Sequence, residues 1–277
     1  MVFTSPVFIV FFIVVLLGTL INQKFSHEKN EKTKQIFLLI ASYFFYGWWD
    51  WRFCFLLLFV TGASYLTALY SKNKFAYFTG VIVPLIVLGI FKYYNFFLES
   101  LGITSTLKII LPVGISFYTF QALSYVIDVH REKIPVEKDF IKLALYISFF
   151  PQLVAGPIVR AADFLPQLHE DGRKITAENF LIGIQIIAIG FFKKTVLADH
   201  LSIFVDDVFR VPVAFHWATI IFAVVSYAMQ IYFDFSGYSD IAIGCAKCLG
   251  YDFSVNFNLP YISQNVTEFW RRWHISL

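Results

Sequence analysis

The 277-residue chain is 58% hydrophobic and 20% aromatic with only 15% charged residues, a composition too apolar for a water-soluble domain and suited to a protein whose solvent is the lipid bilayer. Its 22 basic and 19 acidic residues leave a net charge of +3, carried mainly in short loops, so the charge reports membrane topology rather than a nucleic-acid partner. The three cysteines Cys54, Cys245 and Cys248 give no disulfide framework, and the single CxxC pair lacks the further ligands of structural zinc, so no metal is expected.

Residues 6–21 form the first span. No basic residue precedes them and no small-residue cleavage site follows, so the span is expected to be retained rather than removed as a signal peptide. Lys24, Lys29, Lys32 and Lys34 then outnumber Glu28 and Glu31, which by the positive-inside rule places that loop in the cytoplasm and the amino terminus outside. Residues 36–49 and 51–70 read as a helical hairpin whose tip, Tyr46-Gly47-Trp48-Trp49-Asp50-Trp51-Arg52, carries the ring types that settle at headgroup level on the outer side. Lys72 and Lys74 return the chain to the cytoplasm. Residues 75–98 cross outward past Pro84, whose missing amide hydrogen permits a kink, and Lys92 near their end can snorkel. Residues 109–129 run back inward to Arg131, Lys133, Lys138 and Lys142.

Beyond this point the alternation degrades. Residues 144–159 are apolar but short and contain Pro151, Gly156 and Pro157, the pattern of a broken or re-entrant element. Residues 160–178 are polar, carry both signs of charge and include Pro166, and are expected to form a cytoplasmic loop. A helix resumes over 180–197 with Lys193 and Lys194 at its exit, and 217–235 is a span followed without a polar break by 236–249. The sum is an all-α polytopic membrane protein of eight to ten embedded segments. No repeat or linker separates two domains; the expected division is an amino-terminal set of helices over 1–108 and the first part of a core over 109–277.

Three polar clusters stand where hydrocarbon makes polar groups expensive. Asp234-Phe235-Ser236-Gly237-Tyr238-Ser239-Asp240 is the strongest. Its side chains either cap a helix break, with Gly237 supplying the turn, or line a site. The second cluster, Leu111-Pro112-Val113-Gly114-Ile115-Ser116-Phe117-Tyr118-Thr119-Phe120-Gln121, continues to Tyr125, Asp128, His130 and Arg131. There Asp128 is expected to pair with Arg131, and the small polar residues to bond neighbouring helices. The third begins at Asn256-Phe257-Asn258-Leu259-Pro260 and ends at Glu268-Phe269-Trp270-Arg271-Arg272-Trp273-His274. If these last residues form a helix capped by Ser263 or Asn265, Trp270 shares a face with His274 and Glu268 with Arg271. An interfacial amphipathic helix explains this content, and so does a histidine turned into a cavity as a base. Zincin, nucleophile-elbow, P-loop and Rossmann signatures are absent.

At these clusters the sequence resembles the membrane-bound O-acyltransferase family, in particular its bacterial branch that acetylates alginate. The matching words are Leu111-Pro112-Val113-Gly114-Ile115-Ser116-Phe117 with Asp128; Phe149-Phe150-Pro151-Gln152-Leu153-Val154-Ala155-Gly156-Pro157-Ile158; the Asp234 to Asp240 run; and residues 256–277. They span most of the chain in the family's order. The branch that transfers D-alanine to cell-wall polymers shares some of these words and is the alternative within the family.

The resemblance implies a ring of tilted helices around a thin core in the cytoplasmic membrane. An acyl thioester donor, acetyl-CoA or an acyl carrier protein, would enter from the cytoplasm, and the hydroxyl of an exported polysaccharide or cell-wall glycan from the outer face, with an extracytoplasmic acyl-handling protein as partner. It implies two key histidines. The first corresponds to His274; the second, usually regarded as catalytic, lies in a later membrane segment that this sequence does not contain, so a fragment inactive by itself is the expectation. Substrate contacts are expected from Asp234, Ser236, Tyr238, Asp240, Asn258, Glu268, Arg271 and Arg272. Two other classes compete: a transporter, which would show two related halves that are not found, and a non-catalytic assembly subunit.

Overall fold

A computed structural model describes residues 1–25, 31–103, 109–154, 156–170 and 173–277. Among them every regular element is helical: α1 (Pro6–Phe25), α2 (Glu31–Gly47), α3 (Arg52–Leu69), α4 (Lys74–Leu88), α5 (Tyr94–Ser100), α6 (Ile115–His130), α7 (Phe140–Ser148), α8 (Phe150–Leu153), α9 (Ala161–His169), α10 (Ala177–Phe191), α11 (Asp199–Arg210), α12 (Trp217–Cys248) and α13 (Val266–Arg272). Wide π turns join α4 to α5 over Gly89–Tyr93 and α10 to α11 over Phe192–Ala198. Five helical segments, Pro6–Phe25, Arg52–Leu69, Lys74–Ser100, Ala177–Arg210 and Trp217–Cys248, are long and apolar enough to cross a bilayer. The chain is thus a multi-pass membrane protein. The Lys29 and Glu28 of the first predicted loop, and Ala155 of the second matching word, lie outside the described residues.

The chain divides into two compact units. One comprises Met1, Val15–Val154 and Ile158–Arg173. Its centre is the run 143–153, buried without exception across α7 and α8. The expected break in this segment is at Phe149, whose ψ of 116° ends α7 and lets α8 start. Ser42 ties the break to α2, accepting from the Phe150 backbone N–H at 3.1 Å while donating to the Leu38 carbonyl at 2.8 Å.

Leu111-Pro112-Val113-Gly114 is not the start of a span but a turn, because Gly114 sits at φ 73° and α6 begins only at Ile115. A Cβ on Gly114 would lie 2.2 Å from the Leu153 carbonyl oxygen. Only glycine lets this turn close onto the end of α8.

Other expectations in this unit are corrected. The expected loop at 160–178 contains a helix: Ala161, Phe164, Leu165 and Leu168 recur at helical spacing and are buried, so α9 forms over Ala161–His169 despite Pro166 inside it. Gln35 and Lys34 of α2 hold its end, donating to the Leu168 and Arg173 carbonyls at 2.8 Å each. Asp128 pairs with Lys133 at 3.6 Å rather than with Arg131. His130 is held in place, its Nδ1 2.8 Å from the Ser71 carbonyl oxygen and its ring stacked 3.8 Å from that of Tyr77.

The other unit comprises Val2–Val14, Ala155–Pro157 and Lys174–Leu277. Its axis is α12, a continuous 32-residue helix through the predicted break. Gly237 supplies no turn. Gly183 and Gly190 of α10 face Gly244 and Gly237 of α12, and a Cβ on any of the four would come within 2.6–2.8 Å of the facing glycine's carbonyl oxygen. Seven-residue spacing on both antiparallel helices brings the backbones into direct contact twice, the small-residue packing that membrane helices use where lipid removes the hydrophobic drive. Cys248 lies in the same seam, its thiol 3.7 Å from the Phe180 carbonyl, and both CxxC cysteines are fully buried and unbridged.

This packing yields a prediction. Gly190→Ala or Gly237→Ala forces a shift of backbone rather than of a flexible side chain, and should lower unfolding stability in detergent by about 1–3 kcal/mol. Gly62→Ala in α3, where nothing lies within 4 Å of the added methyl, should be neutral or stabilising by up to about 1 kcal/mol. Equal losses at both places in thermal unfolding would refute close backbone approach as the cause.

Candidate functional site

Seen down α12, residues at i, i+3, i+4 and i+7 share a face. Asp234, Gly237, Tyr238 and Ile241 look toward α10, whereas Tyr232, Phe235, Ser236 and Ser239 lie on the far side. The predicted Asp234–Asp240 cluster is therefore split between two faces of one helix.

On the first face the carboxylates are paired. Lys194 lies 2.6 Å from Asp234 and 2.7 Å from Asp199, and Lys193 lies 2.6 Å from Asp240. The Lys194 ammonium also stands 6.0 Å from the centre of the Tyr238 ring, and that ring is 5.6 Å from Phe3. Both lysines sit in the π turn Phe192–Ala198. Its wider winding brings two consecutive side chains to acids six residues apart on α12. Sequence reading placed these lysines at a helix exit and missed their partners. The available signal was two adjacent cations, within an apolar run, matched by two acids in the next one. Burial of the set is partial, with 47% of the Asp234 side chain exposed against 24% for Asp240, so Asp234 is the carboxylate that a ligand reaches more readily.

On the second face the third cluster folds back against α12. Helix α13 is short and strongly capped: the N-cap Asn265 side chain accepts from the Glu268 N–H at 2.8 Å, and Glu268 reaches back to accept from the N–H of Gln264, the residue before the cap, at 3.0 Å. Glu268 then binds Arg272 through Nε and Nη2, both at 2.9 Å. These contacts, the Gln264 N–H foremost and the Arg272 guanidinium after it, hold the Glu268 carboxyl below its usual range. Glu268 thus pairs with Arg272, four residues on, and not with Arg271 three residues on. Arg271 is exposed and makes no ion pair among the described residues.

Helix α13 stops at Arg272. Trp273 is extended and His274 takes φ 47°, so Trp270 and His274 do not share a helical face as expected. The chain instead lies along residues 256–258: the Asn258 N–H donates to the Arg272 carbonyl and the Ile275 N–H to the Asn256 carbonyl, each at 2.9 Å. Trp273 stacks on Phe269 at 5.6 Å and meets Phe257 edge-on at 5.1 Å; Phe257 meets Phe235 at 5.1 Å, and Phe235 lies 4.8 Å from the His274 ring.

His274 is thus half-buried in an aromatic wall. No group of another described residue bonds to its buried Nδ1. Burial lowers its pKa below the ordinary 6.5, partly offset by its own backbone, so the neutral, proton-accepting imidazole prevails at neutral pH. Ser236, fully buried on the same side of α12, likewise has an unpartnered hydroxyl. The structure therefore brings Asn258, Glu268, Arg272 and His274 together in the terminal segment against Phe235 of α12, turns Asp234 and Tyr238 toward α10, and leaves Asp240 beside that face, paired with Lys193, with Ser236 buried in α12. Among the described residues no cluster of His, Cys, Asp and Glu is arranged to hold a metal.

Residues 4–277 match the profile of MBOAT, the membrane-bound O-acyltransferase family. The chain is 42% identical over 299 aligned positions to the "Probable alginate O-acetylase AlgI" of Pseudomonas aeruginosa, covering all of this chain and 55% of that protein. It is 34% identical to the peptidoglycan O-acetyltransferase of Helicobacter pylori, again over its whole length and 59% of the relative. A teichoic acid D-alanyltransferase of Bacillus subtilis is 28% identical over 75% of the chain and 53% of its own length. The chain spans a little over half the length of these curated relatives. With the profile matched from end to end, the chain belongs to the membrane-bound O-acyltransferase family.

Proposed function

We propose that the protein transfers an acetyl group from a cytoplasmic thioester, acetyl-CoA or an acylated carrier protein, to a hydroxyl of an exported polysaccharide or cell-wall glycan. The observation that carries the reading is the half-buried His274 set against Phe235 of α12, its proton affinity lowered by burial, in a chain whose relatives of 34–42% identity bear O-acetylase or O-acetyltransferase names. The lower identity to D-alanyltransferases, 28%, supports acetyl over D-alanyl transfer.

In this reading the acceptor oxygen attacks the thioester carbonyl carbon, the C–O bond forms and the C–S bond breaks. The hydroxyl proton passes to an imidazole and from there to the departing thiolate, giving an ester and a free thiol. His274 takes part in that proton transfer. Its low proton affinity keeps a lone pair available, and the ring wall of Phe235, Phe257 and Trp273 limits water around it. Asp234, Tyr238 and Asp240 line the path on the charged face of α12, with Ser236 and Asn258 on the histidine side. Glu268 and Arg272 neutralise each other, which leaves Arg271 as the cation for an anionic donor or glycan. The protein acts in the cytoplasmic membrane beside an extracytoplasmic acyl-handling partner.

Two outcomes are expected. In the intact protein His274→Ala should reduce glycan O-acetylation by about 10²-fold or more. Because the histidine's pKa is depressed, the wild-type rate should hold at neutral pH and fall only below pH 6.5; unchanged acetyl content in the variant sinks the reading. Alkaline phosphatase fused after Arg52 should be active outside the membrane and fused after Lys74 inactive, as the distribution of lysines requires. The reverse pattern would invert the orientation.

A further inference from the structure

His274 occupies a place that no regular element holds. Helix α13 has ended two residues earlier, and φ 47° lies in the left-handed region that costs a side-chain-bearing residue energy unless its surroundings impose it. The chain just beyond it is fastened to one buried residue. Asn256 is 1% exposed, and its Oδ1 accepts from both the Ser276 hydroxyl at 2.9 Å and the Ser276 N–H at 3.3 Å. Its backbone carbonyl accepts from the Ile275 N–H at 2.9 Å. Its Nδ2 donates to the Ser239 hydroxyl of α12 at 3.1 Å. The two residues after His274 are thus fastened to Asn256, and Asn256 to α12.

Ser239 is one helical turn beyond Phe235, the residue whose ring touches His274. Helix α12 therefore reaches the histidine twice, directly through Phe235 and indirectly through Ser239 and Asn256. An amide suits this post better than a carboxylate, since it offers an acceptor to Ser276 and a donor to Ser239 without burying a charge.

We propose that Asn256 and Ser239 are positioning residues that hold the His274 imidazole against α12. The proposal rests on reading His274 as a site residue, but its test does not use acetyl transfer. Diethyl pyrocarbonate modification of His274 is followed by mass spectrometry in the detergent-solubilised protein, with His130, fixed by Ser71 and Tyr77, as the internal reference. Ser239→Ala should raise the rate at His274 by about fivefold, the population change expected from losing one hydrogen bond, and Asn256→Ala, which removes the side chain's three bonds, by more; both should leave His130 unchanged. Ser239→Thr, which keeps the hydroxyl, should restore the wild-type rate.

A rise at His130 as large as that at His274 would show general loosening and overturn the proposal, as would an unchanged His274 rate in Ser239→Ala. Should Asn256→Ala fail to fold, the Ser239 pair of variants decides. The two readings fail separately: acetylation indifferent to His274→Ala sinks the proposed function and leaves the holding role intact, whereas unaltered reactivity sinks the holding role alone.

Discussion

The contact of α10 with α12 through Gly183–Gly244 and Gly190–Gly237 is the constraint on which the second unit depends. Two backbones that touch at two points seven residues apart cannot slide or rotate past each other without collision. That fixed register sets Lys193 and Lys194 opposite Asp240 and Asp234, and the ion pairs follow from it rather than cause it. An unpaired carboxylate in hydrocarbon would cost several kcal/mol. Two cations within reach remove the penalty, and they stay within reach because no side chain separates the helices.

The same constraint decides what the rest of α12 can do. With one face committed to α10, the opposite face is left to receive the terminal segment, and it carries what that segment needs: Phe235 and Tyr232 for the aromatic wall, Ser239 for Asn256. In the first unit glycine has a comparable effect by a different means. Gly114 has no partner glycine; it permits a left-handed turn to meet the Leu153 carbonyl, and so joins two sequence words far apart in the chain.

Hydropathy made the helical class, the hairpin around Trp48–Trp51 and the broken segment near Phe149 legible, because each depends on composition over a window or on a local breaker. The continuity of α12 was not legible. Gly237 amid polar residues reads as a turn in water, whereas in a membrane bundle it is a contact, and only the facing helix distinguishes the two. Helix α9 was hidden by Pro166 and by charges at both ends of a short apolar stripe. The terminal histidine was visible as a residue type but not as a geometry: helical periodicity put it beside Trp270, and backbone bonds to residues 256–258 put it beside Phe235 instead. Asn256, Ser239 and the lysine pair were visible as residues, but their roles were not, because their meaning lies in partners distant along the chain.

The wide turn at Phe192–Ala198 carries a consequence for how this sequence can change over time. A π turn holds a residue more than an α turn, so it absorbs that residue without turning the helix beyond it, and losing one there would wind the segment into ordinary helix with α11 facing much as before. A residue gained or lost in the regular helix of α10 instead swings everything beyond it by about 100° around the axis. Lys193 and Lys194 would then leave Asp240 and Asp234, and the amphipathic face of α11 that buries Val205 and Val208 would turn outward. The wide turn is therefore the place in this long segment where a change of length is easiest to accommodate.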